Sequence, residues 1–170
     1  MRLLILADTH VPRRARDLPL PVWSEVDHAD VVIHAGDWVE AALLDRLIAR
    51  SARLIGVYGN NDGAILQSRL PEVAYADLDG LALAVIHETG AADGRERRCA
   101  QRFPDSDVLV FAHSHIPWDT VADNGRPGGL RLLNPGSPTD RRRQPVGTYL
   151  TAEVSGGRLH EVTLRAVRLS

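Results

Sequence analysis

Asp8 and His10 stand just past one apolar run, Asp37 past a second and Asn60 past a third. His87 ends a fourth run, and His113 and His115 follow a fifth. Carboxylate, amide and imidazole donors therefore recur where strands stop and loops begin. Two neighbouring cations that share one bridging carboxylate need about this many ligands. Two cations roughly 3.5–4 Å apart suit in-line displacement at phosphorus. The pattern predicts a binuclear metal centre that cleaves a phosphate ester.

No single piece carries that reading. In Asp8-Thr9-His10 a D-x-H pair beyond a strand turns both side chains toward one point. Gly36 permits an abrupt turn before Asp37, whose carboxylate can bridge two ions. Asn60 can offer a neutral amide oxygen, yet Asn60-Asn61-Asp62-Gly63 read alone is a turn. His87 read alone is a hydrogen-bonded structural residue. His113-Ser114-His115 is the most specific piece, because it lets two imidazoles reach neighbouring ions. Imidazole with carboxylate suits Mn, Fe or Zn better than Ca. The joint occurrence outweighs the separate readings, since an open α/β sheet gathers such residues at the carboxyl ends of its strands.

The elements that would position these groups follow from the apolar pattern. Leu3–Ala7, Val31–Ala35 and Leu54–Tyr58 are short apolar runs of the kind covered on both faces of an α/β sheet. Helical stretches lie between them, a weak one over Leu20–His28 and a stronger one over Glu40–Arg50. The stronger one sets Leu43, Leu44, Leu47 and Ile48 on one face. The first third is thus β-α-β-α-β with parallel strands. Val73–Leu78 and Leu81–His87 flank Asp79-Gly80, a hairpin signal. Asp93–Phe103 reads as a helix and Val108–Ala112 as a buried strand. Strands at Trp118–Ala122, Leu130–Leu133, Thr148–Val154 and Leu159–Val167 complete one α/β domain over residues 1–170.

Composition excludes several classes. At 170 residues, 44% hydrophobic and 25% charged, the chain is an ordinary folded protein. A net charge of −2 gives no generic adhesion to nucleic acid or membrane. All 20 basic residues are Arg, so every cationic side chain is a planar fork suited to phosphate. The lone Cys99 rules out an internal disulfide and reads as packing or surface. The opening MRLLILADTH is too short for a signal sequence. No run approaches a membrane span. The expected setting is the cytoplasm.

Asp8-Thr9-His10, Gly36-Asp37, Gly59-Asn60-Asn61-Asp62, His87, His113-Ser114-His115 and Asn134-Pro135-Gly136-Ser137 occur in the order found in calcineurin-like metallophosphoesterases. From Asp8 to about Ser137 the chain resembles their small bacterial and archaeal phosphodiesterases. The resemblance implies a four-layer α-β-β-α sandwich of two mixed β-sheets flanked by helices. It implies that Asp8, His10 and His115 hold one metal and that Asn60, His87 and His113 hold the other. Asp37 would bridge the two and position a water or hydroxide as nucleophile, with Asn60 beside it. Mn²⁺ is the expected ion, with Fe, Ni, Co or Zn as alternatives.

The sequence departs from that family in two places. Many relatives carry His at the position of Asn61, where it is held to protonate the leaving oxygen. Asn61 cannot act as an acid, so good leaving groups should be favoured. Relatives often read His-Gly-His where this chain reads His87-Glu88-Thr89. Glu88 is then either an acceptor orienting a ligand or a solvated loop residue. His34 and Asp62 are placed behind the ligands, while His28 and His160 look incidental.

On the substrate side, Asn61, Asn134, Gly136 and Ser137 are expected to meet phosphate oxygens. Arg141, Arg142 and Arg143 follow at once and could bind such oxygens bidentately. Arg13, Arg14 and Arg16 form a second basic run after the first ligand pair. Trp38 and Trp118 lie near ligands, though core packing suits both. A small phosphodiester or nucleotide is the expected substrate, and a short oligonucleotide is compatible. A membrane partner is not expected, and edge strands in the C-terminal hairpins could pair two subunits. A phosphomonoesterase or nuclease of the same fold is the rival within enzymes. A protein-binding scaffold, as in a retromer subunit of this fold, is the rival outside them.

Overall fold

The structure is a computed structural model that describes residues 1–167. The strands are β1 (Arg2–Leu6), β2 (Val31–His34), β3 (Leu54–Gly56), β4 (Val73–Leu78) and β5 (Leu81–Ile86). β6 (Val108–Val110), β7 (Trp118–Ala122), β8 (Leu130–Asn134), β9 (Gly147–Ser155) and β10 (Arg158–Val167) follow. The helices are α1 (Leu20–His28), α2 (Ala41–Arg50), α3 (Ala64–Arg69) and α4 (Arg95–Arg102). Two five-stranded sheets run β10-β9-β1-β2-β3 and β4-β5-β6-β8-β7. Both are mixed. β1, β2 and β3 are parallel with β9 antiparallel to β1, and β5, β6 and β8 are parallel with antiparallel partners at β4 and β7.

Strand alternation builds the layers. Leu3, Ile5, Val31 and Ile33 of one sheet meet Leu83, Val85, Val108 and Val110 of the other in a shared core. The opposite faces of the same strands, Leu4, Leu6 and Val32, pack under Val22, Trp23 and Val26 of α1 and Leu43, Leu44 and Leu47 of α2. Ala84, Ile86, Leu109 and Leu132 pack under Cys99, Ala100 and Phe103 on the far side. The central strands are covered on both faces, which is why they read as unbroken apolar runs. Among the described residues, no helix is long and apolar enough to cross a membrane.

Several local expectations shift. Ile48 extends the apolar face of α2 in sequence but is 54% exposed, so the buried stripe is Leu43, Leu44 and Leu47 alone. α3 is an addition: it is six residues long and buries only Leu66, too little for a periodic signal. α4 begins at Arg95, after Gly94 in left-handed conformation. β3 and β6 stop short of Tyr58 and Ala112 because the chain leaves the ladder there to enter the ligand loops.

Candidate metal centre

Parallel strands end at the same edge of a sheet, so β1, β2 and β3 deliver Asp8, His10, Asp37 and Asn60 to one place. β5 and β6 deliver His87, His113 and His115 from the other sheet. Direct contacts join the two sets. The His113 N–H donates to Asp8 Oδ1 (3.3 Å), and His87 Nδ1 donates to the Ala35 carbonyl (2.8 Å).

The seven groups form two clusters about Asp37. On one side His10 Nε2 lies 3.3 Å from His115 Nε2 and 3.4 Å from Asp37 Oδ2, and His115 Nε2 lies 3.7 Å from Asp8 Oδ1. On the other side His87 Nε2 lies 3.0 Å from Asn60 Oδ1 and 3.4 Å from Asp37 Oδ1. His113 Nδ1 lies 2.8 Å from the same Asn60 oxygen. Each oxygen of Asp37 therefore faces a different cluster. Asp8, His10 and His115 could hold one cation, and Asp8, Asp37 and His87 also offer atoms close enough to share one.

Hydrogen bonds fix what these atoms can be. His87 donates through Nδ1 to Ala35, and His115 donates through Nδ1 to the Asp140 carbonyl (2.6 Å). When those rings are neutral, both Nε2 atoms are lone pairs. Burial favours the neutral form: it pushes His10 and His87 down and brings His115 to about 4. The His87 Nε2 lone pair then points at the Asn60 and Asp37 oxygens, acceptors rather than donors. Burial, with the Asp37 charge beside it, raises the Asp8 carboxyl well above the carboxylate range. Its Oδ2 is buried without any hydrogen-bond partner. Converging acceptors with an orphaned carboxylate oxygen suit cations, and the N/O donor set fits a transition ion.

The backbone reinforces this. Asp8 (φ 52°), His10 (46°), Asp37 (60°), His113 (71°) and His115 (59°) all adopt left-handed conformations. For a residue with a Cβ this costs about 1–2 kcal/mol each, and such strain clusters at functional sites. Tertiary bonds hold it in place. Asp62 is buried and accepts from Asp37 N (3.0 Å), Gly59 N (2.7 Å) and Val39 N (2.7 Å), tying two ligand loops together. Gly59 must be glycine, because a Cβ there would lie 2.2 Å from Asp37 Oδ1. Gly36 (φ 93°) passes so close to His87 that a Cβ would lie 2.8 Å from its Nδ1.

His34 is fully buried, stacked 3.5 Å from the ring of Trp38 and paired with Thr9 Oγ1 at 3.0 Å. Glu88 is exposed, with Oε1 4.0 Å from His113 Nε2. Exposed Asn61 donates its backbone N–H to Asp37 Oδ1 (2.9 Å) and its amide to Asp37 Oδ2 (2.7 Å).

Three expected substrate contacts are corrected. The Asn134 amide is consumed by the Ala112 carbonyl, Ser114 Oγ and the Gly136 N–H. Gly136 N–H is thereby occupied, and a Cβ at Gly136 would meet Thr148 Oγ1 at 2.2 Å. Ser137 is buried, donates to the Asp8 carbonyl (2.7 Å) and accepts from Thr139 N and Asp140 N. The Asn134 amide, the Gly136 N–H and the Ser137 hydroxyl are thus spent on fixing the Asp8 loop and its neighbours. The triple Arg is exposed, and the charge of Arg142 (φ 47°) acts on Asp8, His10 and His115. Arg141 is tied to the Gln144 carbonyl and Arg14 to Asp140 (3.5 Å). Trp38 is core, and Trp118 donates to Thr120 Oγ1.

Sequence reasoning missed three supports. The carbonyls of Ala35 and Asp140 orient ligand rings, and a carbonyl leaves no trace in residue type. Arg95 is buried with its guanidinium 4.8 Å from the Phe111 ring and 4.6 Å from the Trp118 ring. It props both ends of the loop that carries His113 and His115, and only the fold brings those rings together.

Comparison with known proteins agrees with this geometry. The pattern that defines the calcineurin-like phosphoesterase superfamily domain matches residues 1–157. A probable metallophosphoesterase of Methanocaldococcus jannaschii is 32% identical over 143 residues, covering 82% of this chain and 69% of that one. A Thermotoga maritima protein solved by solution NMR is 31% identical, with a TM-score of 0.74, covering 97% of this chain and 98% of its own. Vps29 of Entamoeba histolytica, solved in complex with Zn²⁺, shares the fold at 21% identity and a TM-score of 0.75, with 98% of each chain covered.

Proposed function

We propose, on the premise that this chain belongs to the calcineurin-like phosphoesterase superfamily, that it is a binuclear metal-dependent phosphodiesterase of the cytoplasm working with Mn²⁺ or a similar ion. The observation that carries this reading is the meeting of seven donors from both sheets around the two oxygens of Asp37. Asp8, His10 and His115 would hold one ion, Asn60, His87 and His113 the other, with Asp37 between them. Bound divalent cations supply ionised water near neutral pH and offset charge on the phosphoryl oxygens.

The chain's own residues do the rest. Ala35 and Asp140 keep the His87 and His115 rings turned with Nε2 inward. Asn61 steadies the Asp37 carboxylate and offers no proton to a departing alkoxide. Arg142 supplies positive charge on the Asp8 side, where a phosphate oxygen of a diester or nucleotide gains most.

The test is hydrolysis of aryl and alkyl phosphodiesters by chelator-stripped protein with Mn²⁺ restored, beside Asp37→Ala. Activity is expected only with metal, to vanish in the variant, and to fall steeply as the leaving group becomes more basic. Equal rates across leaving groups would remove the role given to Asn61. Inactivity with Mn²⁺, Ni²⁺, Co²⁺ and Zn²⁺ alike would turn the assignment to a binding scaffold.

A further inference from the structure

A cavity of about 290 Å³ opens on one pole of the centre, lined by Tyr58, Asn60, Glu72, Ile86, His87 and Glu88. Of its lining, Ile86 is buried and Tyr58 half-buried. Two carboxylates, Glu72 and Glu88, stand at its rim, both exposed. Among the described residues, no Arg lines it. Arg102 comes within 3.9 Å of Glu72, but both groups are more than half exposed, so their pairing is weak. The opposite pole carries both signs: Arg142 and Asp140 both act on Asp8, His10 and His115 there, and Arg14 lies beside Asp140. The cleft thus runs from an arginine-bearing Asp8 pole, where Arg142 and Arg14 are countered by Asp140, to a pocket of mixed lining with an acidic rim at the Asn60 pole.

We infer that this pocket receives one organic arm of the substrate, a single-ring group that is uncharged or cationic, and rejects an anionic arm. The inference rests on the phosphodiesterase reading of the adjoining centre. The cavity lies at the small end of ligand pockets, large enough for one ring against Tyr58 and Ile86. A carboxylate or second phosphate placed there would face Glu72 and Glu88, and apart from the ion that Asn60 and His87 would hold, no cation stands in the described lining. Discrimination by such repulsion is as effective as attraction.

Symmetric diaryl phosphates test this, since one arm must enter the pocket whichever leaves. The substrates are bis(4-trimethylammoniophenyl) phosphate and bis(4-carboxyphenyl) phosphate. The preference for the cationic over the anionic diester in kcat/KM is expected to fall at least about tenfold in Glu72→Gln/Glu88→Gln. Comparing each substrate across wild type and variant cancels leaving-group chemistry. An unchanged preference would overturn the inference while hydrolysis of bis-p-nitrophenyl phosphate by the wild type still upheld the phosphodiesterase. A second measurement needs no turnover. Phenyltrimethylammonium, titrated into chelated protein, is expected to shift the NMR signals of Tyr58 and Ile86, and benzoate to leave them. Shifts from benzoate alone, or from neither, would sink the pocket assignment whatever the enzyme does.

Discussion

In chelator, lowering the pH from 7 to 4.5 is expected to destabilise the protein, and His115 sets much of the size of the effect. Its ring is fully buried, and burial brings its pKa from 6.5 to about 4. The unfolded chain takes up this proton near pH 6.5 and the folded chain only near pH 4. The stability tied to the neutral ring is therefore complete above pH 6.5 and is lost as pH falls toward 4. At about 1.4 kcal/mol per unit, the full shift corresponds to about 3 kcal/mol. His10 and His87 are shifted in the same direction by burial and add to the loss. Asp8 works the other way: its raised carboxyl contributes stability that grows as pH falls through its folded value. The slope of the whole protein is thus a difference, and a variant must isolate the histidine. In His115→Asn the amide nitrogen occupies the place of Nδ1, keeps the bond to the Asp140 carbonyl and does not titrate. Urea unfolding of both proteins in EDTA, at pH 7 and 4.5, gives the comparison. The variant should lose about 2–3 kcal/mol less than the wild type over that interval. Equal losses would refute the argument that burial holds His115 neutral.

Two further outcomes follow from the loops that carry the ligands. Asp62→Ala strands three backbone N–H groups beneath Asp37, so unfolding in chelator should cost about 3–5 kcal/mol less, seen as a fall in the urea midpoint; a change below about 1 kcal/mol would mean that Asp62 does not brace these loops. Gly59→Ala should abolish the rise in melting temperature expected of the wild type with Mn²⁺, because its Cβ displaces Asp37; calorimetry showing the same Mn²⁺ affinity in both would contradict that contact.

The fold was legible where burial is two-sided. Leu3–Ala7, Val31–Ala35 and Val108–Ala112 admit no reading but covered strands, and a polar donor at the end of each marks the edge of a sheet. The seven positions that converge share that legibility, since their residue types differ sharply from the runs they follow. Asn134 and Ser137 misled because a polar side chain near a site looks the same whether it faces substrate or braces a neighbouring loop. Only the bond from Ser137 to the Asp8 carbonyl, 129 residues away, separates the two uses. Ile48 misled because the pattern cannot say how wide the covering layer is. The left-handed backbone of Asp8, His10, Asp37, His113 and His115 left no sign, since none of these positions carries glycine.

The order of strands also governs what happens while the chain is being made. β1 sits between β2 and β9, and Ile5 is registered against Leu150. Its neighbour β2 is available within about 30 residues, but β9 only roughly 145 residues later, after the whole second sheet has been built. At the usual pace of synthesis that interval is about 7–30 s. Throughout it, one side of an apolar strand presents unpaired N–H and C=O groups that any passing strand can capture. β1 is thus made early and sealed late, and the β9–β10 hairpin is the piece that closes it.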